Sequence, residues 1–114
     1  MSKYSVNITA TAFEDLKSIA LHIKDELKEP LAAEKLIARI KGLVFSLDTF
    51  PHRHELVRDK ILAKQGYRPL YVENHIVFYI VSDENKRVDI LRVLYAKRDW
   101  MRLLVAESKG LDKI

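Results

Sequence analysis

Two apolar stripes at helical spacing, separated only by the link Lys28-Glu29-Pro30, constrain this chain more than any other feature. In the first, Ala12, Leu16, Ile19, Ala20, Ile23 and Leu27 recur on one helical face. In the second, Ala33, Leu36, Ile37, Ile40, Leu43, Val44 and Leu47 do the same. Thr11 and Glu14 have the spacing of a capping box, which predicts a helix starting there. Pro30 suits the first turn of a second helix, where its missing N–H is not needed. That helix should end near Asp48, because Pro51 restricts the backbone before it. Two helices on so short a link must lie antiparallel, and their stripes then need a shared partner.

The rest of the chain offers one. Tyr4, Val6 and Ile8 alternate with Ser5, Asn7 and Thr9, which predicts a half-buried strand. Three further β-like runs span residues 67–72, 75–81 and 87–95, split by Glu73-Asn74 and by residues 82–86, the spacing of two hairpins. Pro69 cannot donate to a ladder, so the first of these runs should be an edge strand or carry a bulge. Residues 51–66 form a polar, basic connection, with a helical turn expected around Glu55 to Lys60. Asp99 is placed to cap a last short helix that Gly110 should end. The predicted order is β-α-α-β-β-β-α. It defines an α+β fold, a small, mainly antiparallel sheet covered on one face by a helical hairpin.

A chain of 114 residues is expected to form one domain, residues 1–114. With 48% apolar and 32% charged residues it should fold rather than stay disordered. The longest apolar run, Ile76 to Val81, is far short of the roughly 20 residues of a membrane span. The opening residues show no apolar secretion signal, and the chain has no cysteine, so a cytoplasmic location is expected. Three widely spaced glycines exclude the usual nucleotide loops. Residues 1–50 hold seven Lys/Arg and seven Asp/Glu, so the net charge of +4 comes from the second half, and an anionic partner is expected.

On strict alternation Val88, Ile90, Arg92 and Leu94 share one face of the last strand. An arginine among apolar positions needs a counter-charge. Arg92 and Arg68 either grip a phosphate or carboxylate of another molecule, or pair with Glu73, Asp89 or Asp99. Asp99 is also placed to tether Arg98. Tyr71, Tyr79, Tyr95 and Trp100 offer rings for base stacking or for a core. His52 and His54 are candidate acid–base groups, but a lone H-x-H pair is a weak metal signal, so no metal and no cofactor are expected.

The strand and Ala12-x-x-Asp15-Leu16 pattern, the Pro30-initiated helix, Gly66-Tyr67-Arg68, the run from Glu73 to Val81 and the ending from Ile90 to Trp100 together resemble the RelE/ParE superfamily of type II toxin–antitoxin toxins, including those called plasmid stabilization proteins. The likeness spans Tyr4 to Leu104. It implies a small basic toxin neutralised by a cognate acidic antitoxin, with operator DNA reached only through that antitoxin. The antitoxin's helix is then expected across the first two helices, with an extended arm toward Arg68, Arg92 and Arg98. RelE-like members cleave mRNA on the ribosome, and ParE-like members poison DNA gyrase. Family nucleases commonly place a Tyr or His in the C-terminal segment, yet no Tyr or His follows Tyr95 here, so Tyr95, His52, His54 or His75 would have to substitute. The ParE-like branch is favoured. Under it Arg68, Arg92, Tyr95, Lys97, Arg98 and Trp100 form a target- or antitoxin-binding surface. Under the nuclease alternative Arg68, Arg92, Tyr95, Lys97 and Arg98 would be the catalytic candidates.

Overall fold

The computed structural model describes residues 3–112, with side chains through Lys109. Its backbone runs β1 (Ser5–Ile8), α1 (Ala10–Leu21), α2 (Pro30–Phe45), α3 (Lys60–Lys64), β2 (Arg68–Val72), β3 (His75–Ser82), β4 (Arg87–Tyr95) and α4 (Trp100–Asp112). The strands form one sheet in the order β1-β4-β3-β2, with β1 parallel to β4 and the other pairs antiparallel. This is the α+β architecture that the sequence predicts.

Thr9, not Thr11, starts α1. Its N–H meets the Ile90 carbonyl at 3.1 Å, which ends the β1 ladder. Its hydroxyl donates to the same carbonyl and accepts the Ala12 N–H. One residue thus closes the strand and caps the helix, which a local capping pattern could not reveal. The helix continues past Leu21 as a π-helical turn, His22–Glu26, and Lys28 turns the chain with a φ of 55°. Pro30 occupies the first turn of α2 as predicted. A 3-10 turn, Ser46–Asp48, follows α2.

The helical turn expected at Glu55 to Lys60 forms later, as α3. Asp59 caps it by accepting the Leu62 N–H at 3.0 Å. Pro69 sits in β2, the edge strand, opposite Phe78. Gly110 does not end α4, which runs to Asp112.

Apolar side chains fill both sides of the sheet. Ala12, Leu16, Leu36, Ile40 and Val44 from the hairpin pack on Leu70, Val77, Tyr79, Val88, Ile90 and Val93. On the other side Leu62 and Leu104 pack with Tyr67, Ile76, Phe78 and Leu94. The register explains why Val93 and Leu94 fall this way rather than by strict alternation. Phe78 faces Arg92 while Tyr79 faces Ile90, so Leu91 is the extra residue of a β-bulge. The bulge moves Leu94 to the side of α4 and leaves Val93 with the hairpin.

Candidate contact surface at the end of the last strand

The bulge also decides the fate of Arg92. β1 leaves β4 after Ile90, so the stretch beyond it has no strand on that side. Asp15 of α1 fills the gap. Its carboxylate accepts the Val93 N–H at 2.9 Å and takes Arg92 in a fork, at 2.7 Å from Nε and 2.9 Å from Nη2. Glu107 of α4 holds the remaining Nη1. The guanidinium side chain is only 11% exposed. Asp15 above all, with Glu107, raises its pKa above the usual arginine value. None of the carboxylates nominated by the sequence takes part. Arg92 is a tie between α1, β4 and α4, and its counter-charges come from its own chain.

Arg68 is committed as well, but to backbone. Its Nη1 donates to the His54 carbonyl at 2.6 Å and lies 3.5 Å from that of His52. It stands opposite Tyr79 in the β2–β3 register and two strands from β4. Tyr79 is fully buried and donates to the Pro51 carbonyl at 2.7 Å, and burial pushes its pKa up. Together these bonds fold the 51–57 loop against the sheet. Trp100 belongs to the core on the α4 side, its ring 4.9 Å from that of Phe78. Arg92 is thus held within its own chain, as the paired reading expects, while Arg68 bonds loop carbonyls and Trp100 lies partly buried against Phe78.

Tyr95, Lys97 and Arg98 are exposed. The Ala96 N–H reaches the Asn74 carbonyl and the Arg98 N–H reaches the Tyr95 carbonyl, so the turn after β4 is pinned to the β2–β3 hairpin. No carboxylate pairs with Lys97 or Arg98 among the described residues. Asp99, expected to tether Arg98, lies 3.5 Å from Arg102 instead. The Tyr95 ring meets His75 edge-on at 5.7 Å. His75 holds its pKa below the ordinary imidazole value because it is desolvated, so it is neutral at pH 7. Beside this pair a groove of about 740 Å³ opens between the hairpin tip and the sheet, lined by Ile19, Ile23, Leu27 and Arg98 among others. Sequence reasoning named His75 only as a substitute. The β3–β4 hairpin, closed by the 82–86 turn, sets it opposite Tyr95.

The other histidines lie elsewhere. His52 bonds Asp83 at 3.0 Å, and the Tyr4 hydroxyl donates to the same carboxylate at 2.6 Å. Asp83 follows the far end of β3, about 26 Å along the strand from His75. His54 packs edge-on against Tyr79, and burial first, then Arg53 and Arg68, lower its pKa. His22 bridges to Glu26 within the π-helical turn. No cluster of three or more metal-type ligands occurs among the described residues. No helix among them is long and apolar enough to cross a membrane.

Residues 6–100 match the ParE toxin of type II toxin–antitoxin systems, parDE. The chain belongs to this toxin family, within the RelE/ParE superfamily that its sequence resembles. The fold is similar to the chromosomal ParDE system of Pseudomonas aeruginosa, with a TM-score of 0.69 and 23% identity over 85% of this chain and 100% of the other. The RelBE2 toxin–antitoxin complex of Mycobacterium tuberculosis gives 0.60 and 25%, over 82% and 98%. Free RelE of Escherichia coli gives 0.64 with 11% identity, over 92% and 96%. No curated protein sequence matches the chain.

Proposed function

We propose that this toxin arrests growth in the cytoplasm by inhibiting DNA gyrase, and that a cognate acidic antitoxin neutralises it. The observation that carries this reading is the dispersal of the nominated catalytic groups. RNA cleavage through a 2′-hydroxyl needs a base, an acid and a cation around one phosphate. Arg92 is closed off by Asp15 and Glu107, Arg68 holds a loop, and His52 stands at the opposite end of β3 from Tyr95. Tyr95, Lys97 and Arg98 remain as an exposed, cationic, aromatic-edged patch, which suits recognition of an acidic protein or DNA surface. The family match to ParE supports the same branch.

One observation favours the second reading, a ribosome-dependent mRNA endoribonuclease. His75 is neutral and borders Tyr95, with Arg98 lining the same groove. A neutral imidazole is a competent base and an arginine can stabilise phosphorane charge. One experiment separates the two readings: a supercoiling assay with purified gyrase, beside primer extension on mRNA from induced cells. The gyrase reading expects blocked supercoiling and intact mRNA. Discrete cuts within codons, lost in His75→Ala, together with normal supercoiling would replace it by the nuclease.

A further inference from the structure

Four non-glycine residues among those described have a positive φ: Lys28, Phe50, Glu73 and Lys86. Lys28 links the hairpin helices, Glu73 turns β2 into β3, and Lys86 turns β3 into β4. Each of these three is a long polar residue in a tight reversal. Phe50 is different. It lies between the 3-10 turn Ser46–Asp48 and a second one, Pro51–Arg53, with φ 50° and ψ 56°. A bulky residue rarely adopts this left-handed conformation, and a following proline restricts its backbone further. No burial compensates, because Phe50 is 70% exposed. Leu31, in α2, is 69% exposed without any such strain, so exposure alone decides nothing. A strained backbone under an unburied ring is what needs a cause.

The loop around Phe50 is held on both sides of it. Arg53 donates from Nη2 to the Ser46 hydroxyl, and its Nη1 lies 3.4 Å from the Ser46 and Thr49 carbonyls. The Pro51 carbonyl accepts from Tyr79, His52 bonds Asp83, and Arg68 donates to the His54 carbonyl. These bonds fix the backbone and none of them touches the ring. A fixed loop that holds an aromatic side chain in water is pre-organised for binding, because little freedom is left to lose when a partner arrives. Arg53 is exposed, and no carboxylate pairs with it among the described residues.

We propose that Phe50 is an anchor for the toxin's protein target, entering an apolar pocket whose rim carries a carboxylate for Arg53. Small ligands take concave sites, whereas an exposed aromatic on a fixed loop fits a pocket on another protein. The unpaired cation beside the ring selects an acidic rim by charge complementarity. The contact rests on the gyrase reading and extends it to a second surface. His52, two residues on, meets Asp83 at the far end of β3 from Tyr95.

The test compares the full-length wild type with Phe50→Gly and Phe50→Asn, since both replacements accept the left-handed conformation. Each protein is assayed for inhibition of supercoiling by purified gyrase, for binding to the small protein encoded beside the toxin's gene, and for thermal melting. Both variants should melt no lower than the parent, because strain is relieved and little burial is lost. Half-inhibition should nonetheless need about tenfold more toxin or beyond. Antitoxin affinity should stay unchanged. Wild type and variants inhibiting equally would overturn the inference and leave the gyrase reading intact. Variants that melt well below the parent would make Phe50 a structural residue and overturn it too. Lost antitoxin affinity would assign the contact to the antitoxin instead. A wild type that leaves supercoiling normal would overturn the gyrase reading, and the inference with it.

Discussion

Arg92 and Arg98 begin from the same chemistry and end in opposite situations. Arg92 is enclosed by carboxylates from two helices, with its fork filled. Arg98 stands just beyond the strand end, exposed and without an acid among the described residues. A cation in a strand therefore says little by itself. What matters is whether the elements packed around it bring a counter-charge. Asp15 does so because β1 is short, which leaves the middle of β4 open to α1. Past Tyr95 no carboxylate among the described residues pairs with Arg98, and its charge stays exposed.

The largest expected effect breaks the closed side of this comparison. Arg92→Ala should cost about 3 kcal/mol in a urea unfolding experiment, because Asp15 and Glu107 would be left partly buried without their cation. A cost below about 1 kcal/mol would mean that the tie is ornamental. Leu104→Ala, at a fully buried position that fixes α4, should cost about 2 kcal/mol or more through the cavity it leaves. Combining it with Glu107→Ala should give a sum that is not additive, since both changes release the same helix.

A smaller effect concerns pH. His54 and His75 both have folded-state pKa values below the ordinary 6.5, burial being the first cause in each. As pH falls through 6.5 the unfolded chain takes up these protons first, so stability should decline below that pH until the folded-state values are passed. His75→Phe should flatten the decline in thermal melts below about pH 6.5. An unchanged slope would mean that His54 carries the whole effect. The smallest expected change is on the open side: Arg98→Ala should alter stability by less than about 0.5 kcal/mol.

Much of this fold is legible in the sequence. Pro30 marks the hairpin turn, the paired stripes mark its buried face, and Pro69 marks the edge strand. The site is less legible, for three physical reasons. The bulge at Leu91 carries no local signature, because an apolar residue is as acceptable there as in a regular strand. Asp15 reads as one more polar residue on a helix, since its partner is 77 positions away. Thr9 outcompetes Thr11 as cap because only the tertiary structure supplies the Ile90 carbonyl. The contacts of Arg68 and Trp100 are hidden for a related reason: a loop carbonyl and a neighbouring ring are invisible to spacing.

Under the proposed gyrase reading, toxicity is exerted by the open end of β4 and not by its enclosed arginine. Gyrase supercoiling is therefore measured with wild type, Tyr95→Ala/Arg98→Ala and Arg92→Lys, each at a matched folded fraction. Inhibition should disappear in the strand-end variant and persist in Arg92→Lys. Inhibition retained by Tyr95→Ala/Arg98→Ala, with Arg92→Lys inactive though folded, would contradict it.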